Sequence, residues 1–190
     1  MIVARTAELA EEHLTAGTMC CPRCTGRLIR WGFARPRTIR SHGVATVRIA
    51  PRRVRCPECR TTHIVLPAAF QARRADTTAV IAEALRHKAN GVGYRRIAVA
   101  VGRAESTVRR WLRRARGEHV QWMYHSGVQR LVQVAPEVLA ELRFGGNPLR
   151  DALSVLAAAA YWDRHRFGFT DPAWTLINTY TRGRLLAPPA

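Results

Sequence analysis

The chain has 190 residues, 47% of them hydrophobic, enough to bury the core of one or two domains. Lys and Arg number 31 against 13 Asp and Glu, a formal net charge of +18. A compact chain with that excess needs a polyanion to neutralise it, so nucleic acid is the leading partner class.

Lys88 is the single lysine. Basicity made of arginine suits bidentate phosphate and guanine contacts, and a GC-rich genome would produce it equally well. The longest apolar run, Ala152–Trp162, is 11 residues with Ser154 inside it, too short to span a bilayer. Glu8, Glu11 and Glu12 at the start, with no apolar stretch, predict no secretory signal. Five cysteines in a chain this long do not make a disulfide scaffold. A cytoplasmic, nucleoid-associated protein whose cysteines serve a metal is expected.

The charge is polarised. Residues 1–120 hold 24 basic and 8 acidic side chains, whereas residues 121–190 hold 7 and 5. The polyanion-facing surface therefore belongs to the first two thirds. The predicted fold class is α+β: a small β zinc ribbon over 18–70, an all-α helix-turn-helix domain over 72–118, and a C-terminal helical segment over 134–185. Residues 119–133 are left open as linker, short strand or helix.

Cys21-Pro22-Arg23-Cys24 and Cys56-Pro57-Glu58-Cys59 are two C-x-x-C pairs separated by 31 residues. Each pair can form a tight knuckle, and two knuckles complete an all-sulfur tetrahedral site for one structural Zn²⁺. The alternative, a pair of redox dithiols, would want a βαβ context. Strands are expected at Leu28–Phe33, Val44–Ile49 and Arg53–Arg55, punctuated by Pro36, Gly43 and Pro51. So small a sheet buries little surface and draws on a metal for stability. Cys20 is read as a bystander, with a Cys20/Cys24 pairing as the other option, and His63 as an ordinary strand-end histidine. Residues 18–60 carry 11 basic side chains and one acidic, which adds a second phosphate footprint.

Asp76 is the expected N-cap of a helix over Thr77–Asn90 that stops at Gly91. A second helix fits Tyr94–Val101, and Gly102 gives the freedom for a sharp turn. A third helix fits Glu105–Arg116. Val108, Trp111, Leu112 and Ala115 fall at i, i+3, i+4 and i+7 on one face, while Arg109, Arg110, Arg113, Arg114 and Arg116 take the other. An apolar back and an arginine front is what a helix in a major groove requires. The predicted contact set is Ser106, Thr107, Arg109, Arg110 and Arg113 near the bases, with Arg95, Arg96, Arg103 and Arg114 on phosphate.

Gly93-Tyr94-Arg95-Arg96-Ile97-Ala98, Val101-Gly102-Arg103 and Ser106-Thr107-Val108-Arg109-Arg110-Trp111-Leu112 resemble the helix-turn-helix of bacterial transposases. With the C-x-x-C ribbon ahead of them, they resemble the N-terminal DNA-binding half of insertion-sequence transposases. The whole chain, through Thr181-Arg182-Gly183-Arg184-Leu185-Leu186, is similar to an actinobacterial family of zinc-ribbon plus helix-turn-helix proteins. The resemblance implies double-stranded DNA binding and little beyond it. Ala104 departs from the Ser cap usual at that position.

Pro136–Arg143, Pro148 to about Arg166, and a last helix opened by Asp171-Pro172 complete the prediction. Their near-neutral surface suits either a supporting core or contact with a second copy or a mobile-element partner. A catalytic carboxylate set would have to come from Glu137, Glu141, Asp151, Asp163 and Asp171. All five fall on or beside predicted helices, so no enzyme is expected. Three readings stand: a DNA-binding regulator or transposon accessory protein, an RNA-binding or protein-recruiting ribbon, and a nuclease.

Overall fold

The computed structural model describes residues 1–187. It is a mixed α+β chain that begins with two elements absent from the sequence reading. Strand β1 (Ile2–Ala4) is followed by helix α1 (Ala7–Ala16), capped by the Thr6 hydroxyl, which accepts from Leu9 N–H at 3.1 Å. Gly17, at φ +66°, ends α1 in the left-handed conformation that glycine adopts without penalty.

Five further strands make the ribbon: β2 (Ile29–Phe33), β3 (Arg37–Arg40), β4 (Thr46–Ile49), β5 (Arg52–Arg55) and β6 (Thr62–Pro67). One sheet runs β1-β6-β5-β2, with β1 parallel to β6 and the other pairs antiparallel. Strands β3 and β4 form a separate hairpin whose register pairs Ile39 with Val47 and Arg40 with Thr46. Val65 of β6 packs with Ala10, Leu14, Leu28 and Val54 on the α1 side of the sheet. Its neighbour Leu66 points the other way and packs with Ile39 and Phe70, which seats the hairpin.

The rest is helical: α2 (Thr78–Ala89), α3 (Tyr94–Val101), α4 (Glu105–Arg113), α5 (Glu118–Val134), α6 (Pro136–Glu141), α7 (Pro148–Phe167) and α8 (Ala173–Tyr180). The undecided stretch 119–133 is the body of α5. The apolar faces of α2, α3 and α4 share one buried cluster with those of α5, α7 and α8, including Ile81, Leu85, Ile97, Trp111, Met123 and Leu156. Helices α5 and α7 lie close together at Gly127, where a Cβ would sit 3.0 Å from Leu156 N and from Val155 Cγ1. Any side chain there would push the pair apart.

Some predicted boundaries shift. Helix α4 stops at Arg113, not Arg116, since Gly117 follows at φ +57°. Asp171 does not cap α8; it pairs with Arg5 at 3.1 Å and ties the N-terminus to the last helix. Asp76 does not cap α2, which begins after Thr77 without a side-chain cap.

Two polar clusters join ribbon to helices. Asp76 accepts from Arg103 Nε at 2.6 Å and from Arg40 of β3 at 2.8 Å. Asn178 of α8, wholly buried, donates to the carbonyls of Ala68 and Phe70 just past β6, and accepts from Gln71 at 2.9 Å. These groups find their partners in one another, so their burial is tolerable.

Candidate metal centre and nucleic-acid interface

The two C-x-x-C pairs fold as equivalent knuckles. Cys21 N–H donates to Gly26 O at 2.7 Å, and Cys56 N–H donates to Thr61 O at 2.9 Å. The residue after each second cysteine takes a left-handed backbone, Thr25 at φ 62° and Arg60 at φ 59°. This reverses each chain tightly enough to aim both sulfurs inward. The four Sγ atoms of Cys21, Cys24, Cys56 and Cys59 lie within 4.8 Å of one another. Cys24 and Cys56 stand 3.4 Å apart, and Cys21 and Cys59 3.7 Å. A tetrahedral ion with bonds of about 2.3 Å to sulfur sets its ligands about 3.8 Å apart, so the donor set fits a thiolate-bound metal. Within the crowded cluster, hydrogen bonding with Thr61 pulls the Cys59 thiol down, whereas hydrogen bonds with Cys56 and Cys59 push the Cys24 thiol up.

Cys20 is exposed and stays outside the cluster, its sulfur 3.7 Å from Thr18 O. His63 takes the strand-end position expected, near the start of β6, but is more than an ordinary strand residue. It is buried in β6 with Nε2 3.4 Å from Cys21 Sγ, an outer partner to a ligand. Its position 42 residues from Cys21 in sequence gives no hint of this, because strand pairing brings them together.

The basic helix has the two faces expected of it. Val108, Trp111 and Ala115 are buried, while Ser106, Arg109, Arg110 and Arg113 are exposed on the far side. Among the described residues, Arg110 and Arg113 make no ion pair or side-chain hydrogen bond, and Arg109 lies 5.4 Å over the Tyr94 ring. On one flank a groove of about 710 Å³ is lined by Lys88, Tyr94, Arg109, Arg113 and Arg116. On the other flank Arg74, unnoticed in sequence, has its guanidinium pushed below its ordinary range by burial and then by the charges of Arg114 and Arg110. Crowded like charges of this kind favour an anion beside them.

The structure separates the remaining predicted residues. Arg96 is exposed. Arg95 is exposed and donates to Tyr94 Oη at 3.2 Å, with Glu105 at 3.8 Å. Thr107 is half-buried on the flank. Arg114 is half-buried and donates to Ala187 O at 3.3 Å, so the tail already engages it. Arg103 leaves the phosphate-contact set. Its side chain is 4% exposed, held by Asp76 and by the carbonyls of Gly102 and Ser41. Among the described residues, the C-terminal tail reaches Arg74 and Arg114, and Arg109, Arg110 and Arg113 are exposed.

Of the five acids considered for catalysis, Asp163 is buried against Arg130 at 2.9 Å and the Tyr180 hydroxyl, and Asp171 holds Arg5. Asp151 accepts from Gly145 N–H at 3.1 Å. Among the described residues, the four cysteines are the one group of three or more His, Cys, Asp or Glu side chains gathered at metal-ligating distance. No helix of the described residues is long and apolar enough to cross a membrane.

A family model described as a domain of unknown function (DUF6431) matches residues 21–111. The match begins on the first clustered cysteine and ends inside α4, so it takes in the ribbon and the α3–α4 pair together. No curated protein and no solved structure matches the chain.

Proposed function

We propose that the chain binds double-stranded DNA, with α4 entering a major groove and one structural Zn²⁺ in the cysteine cluster. The observation that carries the reading is α4 itself. Its arginines face outward, Arg110 and Arg113 with no ion pair or side-chain hydrogen bond among the described residues, while its opposite face is locked into the core by Val108 and Trp111. The short turn between α3 and α4, with Gly102 at φ 62°, supports a helix-turn-helix reading. Ser106, Arg109, Arg110 and Arg113 contact base edges, and Arg95, Arg96, Thr107 and Arg114 contact phosphate. The biological role that follows is a regulator or an accessory protein of a mobile element, and the surface of 134–185 is the place for a second copy.

Selection of bound duplexes from a random pool, with metal measured on the same sample, tests both halves. The expected result is an enriched motif, one zinc per chain, and affinity falling with salt at about −0.9 per neutralised phosphate. Equal binding by R109A/R110A/R113A would overturn the assignment of α4.

One observation favours a second reading, single-stranded RNA binding by the ribbon. Trp31 and Phe33 stand exposed on edge strand β2, at 45% and 57%. Each already carries a guanidinium on one face, Arg55 at 4.7 Å and Arg52 at 3.7 Å, which leaves the opposite faces for bases. Preference for single-stranded RNA, insensitive to the α4 substitutions, would select it.

A further inference from the structure

The β3–β4 hairpin turns one face toward the core, and its other face is largely open among the described residues. Ile39 points into the core, whereas Thr38, Thr46 and Arg48 alternate onto the exposed face, with Arg40 on the same side turning its guanidinium to Asp76. The loop 41–45 is closed by Ser41 N–H to Ala45 O at 2.7 Å and Ala45 N–H to His42 O at 3.1 Å, with Gly43 in the left-handed conformation the turn needs. At its tip Val44 is 101% exposed. An apolar residue held fully in water by an ordered turn has no role in the packing of this chain.

Four contacts fix where that tip sits. Arg103, in the turn before α4, donates to Ser41 O at 2.5 Å. Arg103 and Arg40 share the buried carboxylate of Asp76. His42 lies 3.3 Å from Glu83 of α2. The hairpin tip is therefore clamped beside the N-terminal end of α4, the end that a helix-turn-helix points at base edges. The charge fits as well. Between Glu12 and Glu58 the sequence has no carboxylate side chain, and the hairpin region supplies Arg35, Arg37, Arg40 and Arg48.

From this geometry we infer that the β3–β4 hairpin is a wing: its tip, His42–Thr46, lies on the duplex next to the α4 site and contacts the sugar–phosphate backbone there. This rests on the reading that α4 faces duplex DNA. Arg103 is then a positioning residue. It contacts no DNA and holds the wing at a fixed offset from the helix. The wing makes the ribbon and the helix-turn-helix one binding surface, with the metal centre stiffening the strands that carry it.

The test uses the full chain loaded with zinc and a mixed-sequence 30-base-pair duplex, with binding measured across a salt series. V44E/T46E places two negative charges on exposed tip positions, and V44R/T46R places two positive ones. Circular dichroism and zinc content, matched to wild type, establish that both variants fold. The expected outcome is affinity lowered about 10-fold or more by the Glu pair, raised by the Arg pair, and a salt slope shallower by about one for the Glu pair. If R110A/R113A weakens binding while both tip pairs bind as wild type, the wing is overturned and the α4 reading stands. If wild type does not bind duplex, or R110A/R113A binds as wild type, the α4 reading falls and the wing with it.

Discussion

In the ribbon, the buried side chains beneath α1 are Ala10, Leu14, Leu28, Val54 and Val65, joined by Cys21 and Cys56. In the helical body, six helices pool leucines, isoleucines, Met123 and Trp111 into one continuous cluster. Apolar burial contributes about 25 cal/mol per Å², so the first region is far less able than the second to hold itself together. Two knuckles of identical geometry supply what is missing, provided a metal closes them. The comparison also explains where charge is tolerated. The region with the small core and the cysteine cluster carries dense arginines, and the region with the large core is nearly neutral over α5–α8.

The sharpest way to break the comparison is to remove the metal. A chelator, or Cys56→Ser, should unfold the ribbon and leave the helices in place, because ligation of a structural zinc contributes on the order of 10 kcal/mol. Amide exchange reads it: β5 and β6 lose protection while α5 and α7 keep theirs. Simultaneous loss in both regions would mean that the helical body leans on the ribbon.

Next in size is the clamp between the regions. Asp76→Ala strands two guanidiniums, one of them buried, and should cost about 3–5 kcal/mol in a denaturant melt. A double-mutant cycle with Arg103→Ala should show strong coupling, since each single change already breaks the pair. Leu156→Ala opens a cavity in the helical cluster and should cost about 2–5 kcal/mol with metal content unchanged. Asn178→Ala leaves the Phe70 carbonyl and the Gln71 amide without their partner, while Ala68 O keeps the Thr78 hydroxyl, and should cost about 1–3 kcal/mol. Smallest for stability is the outer face of α4. Arg110→Ala and Arg113→Ala should stay within about 0.5 kcal/mol of wild type, while weakening duplex binding.

Local signals were legible where chemistry or periodicity is local. The two C-x-x-C pairs led directly to the four clustered sulfurs. The i, i+3, i+4, i+7 pattern from Val108 to Ala115 located the buried face of α4, and Gly102 marked the turn before it. Strand β1 and helix α1 escaped notice because Ile2–Ala4 is too short to show alternation. Helix α5 stayed undecided between linker, strand and helix because Gly127 and Ser126 interrupt its apolar pattern. Gly127 is there for a reason that only α7 reveals, the contact of its backbone with Val155 and Leu156.

Asp76, Arg103 and His63 show the other limit. Asp before a helix reads as a cap, Arg at a turn as a free cation, and His at a strand end as filler, and these readings follow from nearest neighbours alone. By itself, the sequence determined a basic chain with a four-cysteine cluster and an amphipathic arginine helix, since composition, spacing and helical period are properties of the chain. Which arginines are spent inside and which face solvent was decided by tertiary structure. A guanidinium's partner is whichever carboxylate or carbonyl the fold brings within about 3 Å, and for Arg103 those partners are Asp76 and Ser41, distant in sequence.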